Sequence, residues 1–169
     1  GVPIVADKFH VIRLAQWALN GVRRRVRKAV KGDRQHATWR KRWVLLRNCE
    51  DVPMDQRKYL AGLLRLSKEL RLTYTAKEAL RHWYRTCTPQ DAFPRLDRLL
   101  QRWITSMVPE LQKLAITLRY WQTEVCNYAT YRISNSITEG LNNKIKVIKR
   151  QAYGFRSFKN FRRKILLVG

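Results

Sequence analysis

Two acids in this sequence sit where chemistry could be done. Asp7 closes a short apolar, β-branched run, Val2 to Ala6, and directly precedes a helical pattern. An acid at the C-terminal end of a buried strand faces the crevice in which open α/β sheets bind ligands; the same acid ahead of a helix caps its first turn. Glu139 opens another helical stretch, and Ser136-Ile137-Thr138-Glu139 has the spacing of a capping box. From Gly140 onward there is no further acid, yet Lys144, Lys146, Lys149, Arg150, Arg156, Lys159, Arg162, Arg163 and Lys164 follow. A carboxylate in that field either pairs with a neighbouring cation or holds Mg2+ beside a bound phosphodiester, since hard divalent ions take oxygen ligands.

The basic residues point to a polyanionic partner. Lys and Arg number 36 against 12 Asp and Glu, a net charge of +24, in 169 residues. Such a chain collects polyanions, and counterion release makes nucleic acid the favoured one; RNA-binding proteins share this composition. Lys144, Lys146, Lys149, Arg150 and Arg156 are candidate phosphate ligands. So are Arg23 and Arg24 in the run Arg23 to Lys28, which reads equally as a solvated helix face. Phe158 and Phe161, three residues apart, fit helix packing better than base stacking. With 45% hydrophobic residues and six Trp, the chain has enough apolar content to fold.

Other classes find no support. Cys49, Cys87 and Cys126 are odd in number and widely spaced, without the patterns of a disulfide framework or zinc ribbon. His10, His36 and His82 show no ligand spacing, and neither a nucleophile triad nor a glycine-rich phosphate loop is present. No run approaches the roughly 20 apolar residues of a membrane span, so a cytoplasmic, nucleoid-associated protein with no membrane partner is expected. The start at Gly1 suggests a piece of a longer chain.

The elements that must position these residues are mostly helical. After the expected strand Val2 to Ala6, Val11, Ala15, Ala18, Leu19, Val22 and Val26 predict a helix from Phe9 to about Val30. Lys31 to Arg42 reads as a loop, and Trp39 to Leu46 is apolar again. Helices are expected over Asp55 to Leu70, Ala76 to Thr86 (from a Thr75/Glu78 capping box), Pro89 to Met107 and Pro109 to Tyr128. Tyr131 to Ile133 reads as a short strand or extended link. In the helix Glu139 to Arg150, Leu141, Ile145 and Ile148 share one side, with Glu139, Asn143, Lys146 and Arg150 opposite. Gly154 fits a left-handed turn position before a last helix, Ser157 to Leu167. One strand followed by so much helix lacks the neighbours that a strand needs.

Two segments carry a resemblance. Val5-Ala6-Asp7-Lys8-Phe9-His10-Val11, and Thr138-Glu139-Gly140-Leu141-Asn142-Asn143-Lys144-Ile145-Lys146 continuing to Lys149-Arg150-Gln151-Ala152-Tyr153-Gly154-Phe155, resemble the transposases of bacterial insertion sequences of the L-three type. The resemblance covers essentially the whole chain. It implies a ribonuclease H-like α/β fold with an Asp, Asp, Glu triad, of which this chain holds the C-terminal part: mostly α as present, the early strands and first Asp missing. Residues 1–30 and 129–169 would then be catalytic core and 31–128 a helical insertion. Asp7 matches the second Asp and Glu139 the Glu, both catalytic and both ligands of Mg2+ or Mn2+. The implied function is DNA transposition by metal-dependent strand cleavage and strand transfer, with transposon ends and target DNA as partners and an oligomer in the intact enzyme; this chain alone would be inactive. The alternative is a non-catalytic basic helical module that binds nucleic acid, such as a decayed transposase remnant.

Overall fold

A computed structural model describes residues 2–29, 42–133 and 136–168. It divides into two units, Gly1–Ile133 and Ser134–Gly169.

The first unit is organised on α1 (Lys8–Ala29). Val11, Ala15, Ala18, Leu19, Val22 and Val26 are all buried, as the three- and four-residue spacing requires, and Arg27 and Lys28 lie at the negative end of the helix dipole. After the short α2 (Arg42–Leu46) come α3 (Met54–Leu66), α4 (Lys68–Thr86), α5 (Ala92–Ile104), α6 (Pro109–Tyr120) and α7 (Gln122–Tyr131). α1 packs chiefly on α4 and α6, α5 on α4, α6 and α7, and α3 on α4. Leu70, Leu80, Trp83, Leu96, Leu100, Leu111, Leu118 and Val125 complete the core.

Several boundaries differ from the sequence pattern. The helix expected over Asp55 to Leu70 breaks at Ser67, which is extended (φ −150°, ψ 125°) and accepts the Leu70 amide on its hydroxyl at 3.2 Å. α4 therefore starts there, and Thr75 is an exposed interior residue of a 19-residue helix rather than a cap. The continuous stripe Leu70, Tyr74, Lys77, Leu80, Tyr84 explains why: burying one unbroken face outweighs a local capping signal. Thr88 does act as a start signal. Its hydroxyl accepts the Asp91 amide while Asp91 Oδ1 accepts the Thr88 amide, and regular helix follows from Ala92. The run expected from Pro109 to Tyr128 bends at Trp121 (φ −102°, ψ 22°) into α6 and α7.

The expected strand Val2 to Ala6 does not form, nor does Tyr131 to Ile133 take the strand form of its two readings. Among the described residues there is no strand. Val2 to Asp7 has no regular secondary structure and is tied to α7: the Ala6 amide donates to Glu124 O at 2.9 Å and Asn127 Nδ2 to Ile4 O at 2.7 Å. A strand's remaining N–H and C=O groups need a second strand, and the described residues supply none. Tyr131 ends α7, and Arg132 adopts a left-handed conformation (φ 52°, ψ 22°). Its guanidinium donates to Tyr84 O and Cys87 O, which satisfies carbonyls at the C-terminal end of α4 and offsets the backbone strain.

The second unit has two helices, α8 (Ser136–Gln151) and α9 (Phe158–Val168). The turn between them uses positive φ at Tyr153 (50°) and Gly154 (103°), with the Gly154 amide returning to Lys149 O. Phe161 packs on Phe155 with ring centroids 5.0 Å apart, whereas Phe158 is exposed. The loop expected over Lys31 to Arg42 lies outside the described residues, apart from Arg42, the first residue of α2.

Candidate metal and DNA-binding site

Asp7 reaches its position because the segment Val2 to Asp7 is pinned on α7 and then turns into α1. Its Oδ1 accepts the Phe9 amide at 2.8 Å and the His10 amide at 3.2 Å, and His10 Nδ1 lies 3.1 Å away. The capping reading of Asp7 is thus realised in hydrogen bonds. It does not exhaust the side chain: Asp7 also lines a cavity of about 370 Å3 together with His10, Trp17, Leu118, Trp121 and Glu124, and its side chain is 16% exposed. The cap holds the carboxylate in one orientation at that cavity. Glu124 is a second acid there that sequence reasoning missed, because nothing distinguishes it from any polar residue of an amphipathic helix. His10 had a legible signal, the Asp-x-x-His spacing across a helix start.

Glu139 lies in the first turn of α8. Its side chain and that of Ser136 lie outside the described residues, so the capping box expected there does too. Helical geometry places Asn143, Lys146 and Arg150 on one face of α8. Lys144, Lys146, Lys149, Arg150 and Arg156 are all exposed, Ile145 is half-buried and Ile148 buried, while Leu141 is 54% exposed.

The Arg23 to Lys28 run splits three ways. Arg24 is exposed. Arg23 is 7% exposed and donates from Nε to Asn20 Oδ1 at 2.9 Å. Arg25 bridges three helices, reaching Glu69 at 2.7 Å and Glu110 at 2.8 Å, and hydrogen bonding to Glu110 raises its pKa. The same pairing, with Arg25 as donor, lowers that of Glu110.

Behind Asp7 the interior is thiol- and phenol-rich. Burial pushes the Cys126 thiol up to about 12 and raises Tyr84, whose buried hydroxyl has no hydrogen-bond partner among the described residues. A raised thiol pKa favours the folded state up to the ordinary thiol range near 9, and that contribution is lost as pH climbs from there through about 12. Cys49 is exposed and Cys126 half-buried, so at pH 8 an alkylating reagent should modify Cys49 at least about tenfold faster. Mass spectrometry of the labelled peptides checks this, and equal rates would contradict the buried, protonated thiol.

Among the described residues, no three His, Cys, Asp or Glu side chains gather as a metal cluster. The acids singled out by the sequence are all-oxygen donors of the kind a hard divalent cation accepts. No described helix is long and apolar enough to cross a membrane.

A family model described as Transposase matches residues 2–165, nearly the full chain. The chain belongs to the DDE transposases of the L-three type. It is 29% identical over 165 residues to the transposase for insertion sequence element IS1001 of Bordetella parapertussis, covering 96% of this chain and 41% of that protein. It is 27% identical over 175 residues to the transposase for insertion sequence element IS1557 of Mycobacterium tuberculosis, covering 90% of this chain and 39% of that protein. The chain thus spans about two fifths of the length of these curated relatives. A shorter stretch of 62 residues, 36% of the chain and 20% of the relative, is 44% identical to a Lactococcus lactis protein named ATP-dependent protease. No solved structure matches. Asp7, Glu139 and every basic candidate of this transposase chain fall inside the matched residues.

Proposed function

We propose that this chain contributes Asp7 and Glu139 as metal-ligating carboxylates to the catalytic centre of a transposase that cuts and joins DNA. The observation that carries this reading is the family match across residues 2–165, which takes in both acids and the helices between them. In this reading the core has the ribonuclease H-like fold, residues 1–30 and 129–169 belong to it, and 31–128 form a helical insertion. The further acid and the strands of the sheet come from other parts of the transposase. Paired Mg2+ or Mn2+ ions would supply activation of the attacking oxygen and stabilisation of the leaving oxygen in an in-line displacement at phosphorus.

The chain's own residues then have distinct tasks. Asp7 presents a carboxylate whose orientation is set by the amides of Phe9 and His10, so little side-chain freedom remains to be lost on ligation. Glu139 offers the second carboxylate from the first turn of α8. Lys144, Lys146, Lys149, Arg150 and Arg156, all exposed, neutralise phosphates of the bound strand, and Arg24 adds a further exposed cation on α1. Arg23, being buried, is left out of this phosphate-binding set. Water as nucleophile gives cleavage, and a DNA 3′-hydroxyl gives strand transfer.

Strand-cleavage assays on the intact transposase with Asp7 or Glu139 neutralised test the assignment, and normal cleavage by either variant defeats it. A separate expectation concerns binding. Lys149→Ala with Arg150→Ala should weaken DNA binding and flatten the slope of log affinity against log salt by about 0.9 for each phosphate left without its cation. Fluorescence titration at several salt concentrations measures it; an unaltered slope would place both residues away from the phosphates.

A further inference from the structure

Six acids of the first unit are paired with particular Lys or Arg side chains. Arg25 takes Glu69 and Glu110; Lys77, Arg81 and Arg85 share Glu50 and Glu78; Arg95 takes Asp91; Arg119 takes Asp97. Arg98 and Arg102 have no carboxylate partner among the described residues. Both are exposed on α5, one turn apart, about 6 Å along the helix axis.

They also border a cleft. Between α4 and α5 a cavity of about 250 Å3 is lined by His82, Arg95, Arg98 and Arg102, with Ala79, Leu99 and Trp83 as its apolar part and no acid in its wall. Arg95 and Trp83 hold its geometry. Arg95 is locked by Thr86 and Asp91, and Trp83 Nε1 donates to Ala92 O at 3.0 Å, joining the two helices at the cleft. Arg98 Nε donates to Pro94 O at 3.3 Å, which steadies the base of its guanidinium and leaves the terminal nitrogens for a ligand. Two guanidinium forks, an imidazole and apolar patches with no carboxylate suit a phosphodiester, whose oxygens take paired donors and whose sugars take apolar contact.

We propose that this α4/α5 cleft, lined by His82, Arg98 and Arg102, binds the phosphate backbone of DNA as a site distinct from the cavity at Asp7. The inference rests on the reading that the chain acts on DNA, and places a second point of contact within the helical insertion. A carboxylate-rich protein segment is the other occupant the same forks would accept; the chain's +24 net charge and family favour DNA.

The test is a fluorescence titration of a short DNA duplex of arbitrary sequence with the full chain at several salt concentrations. Arg98→Gln with Arg102→Gln should weaken binding by at least about tenfold at low salt and flatten the salt slope by about 2, while Arg98→Lys with Arg102→Lys should keep most of the slope. If the Gln pair keeps the wild-type slope while Lys149→Ala with Arg150→Ala loses it, the cleft proposal is overturned and the DNA reading stands. If the wild-type chain shows no salt-dependent binding, both fall. A readout independent of variant folding is protection of Arg98 and Arg102 from phenylglyoxal in the wild-type chain: protection by the duplex supports the site. Absence of protection, or protection by polyglutamate and not by the duplex, overturns it.

Discussion

Asp7→Asn in the intact transposase should leave the protein folded and bound to DNA while strand cleavage falls by roughly 10³-fold or more, the equivalent of about 4 kcal/mol at 1.36 kcal/mol per tenfold. The substitution is informative because Asp7 has two tasks. As a cap, its Oδ1 accepts the Phe9 and His10 amides, and Asn caps a helix about as well as Asp. As a metal ligand it must be anionic, and Asn is neutral. The variant therefore removes one task and keeps the other. Asp7→Ala, by contrast, should lose the cap as well and lower stability by about 1 kcal/mol. Glu139→Gln should reproduce the loss of cleavage. Cleavage by Asp7→Asn at the wild-type rate, with an unchanged melting temperature, would reduce Asp7 to a cap and leave a basic helical DNA-binding protein.

Lys77→Met should strongly destabilise the first unit. The Lys77 side chain is fully buried, and burial lowers its pKa, an effect opposed by Glu78. Its ammonium donates to Leu45 O at 3.0 Å and Arg47 O at 2.5 Å, sits 2.8 Å from Glu78 Oε1 and lies over the Tyr74 ring at 4.5 Å. It thereby ties the C-terminal carbonyls of α2 to α4. Met fills the volume but leaves those carbonyls without their donor and Glu78 paired with Arg81 alone, and removing one partner of a buried, hydrogen-bonded charge costs about 3–5 kcal/mol. For a chain of this size that lowers the melting temperature by roughly 6–20 °C. Calorimetry reads the shift directly; a change of only a degree or two would mean that desolvating the ammonium cancels what its contacts contribute.

Much of this was written locally. The α1 stripe from Val11 to Val26, the cap at Asp7, the start signal at Thr88 and the turn at Gly154 depend on residues within a turn or two of each other, and each is realised. The two motifs that carry the resemblance are likewise short, and the family match spans both. Other features were beyond local reading. Ser67 is itself a residue type that caps helices, but the apolar pattern runs through it unbroken, and nothing near Trp121 marks a break; which face α3 and α4, or α6 and α7, bury against their neighbours decides both. Arg23, Arg24 and Arg25 are adjacent and chemically alike, yet one is buried, one exposed and one bridges Glu69 to Glu110.

The order of residues alone determined the helical periodicity and the excess of positive charge, which are properties of composition or of spacing within a few turns, and it held the two motifs whose resemblance to transposases singled out Asp7 and Glu139. Tertiary packing decided which cations keep an acid and which face solvent, why Lys77 is buried, and that Val2 to Asp7 lies on α7 without a strand beside it. Those outcomes depend on groups tens of residues apart competing for the same few carboxylates and carbonyls, and a linear pattern holds no record of that competition.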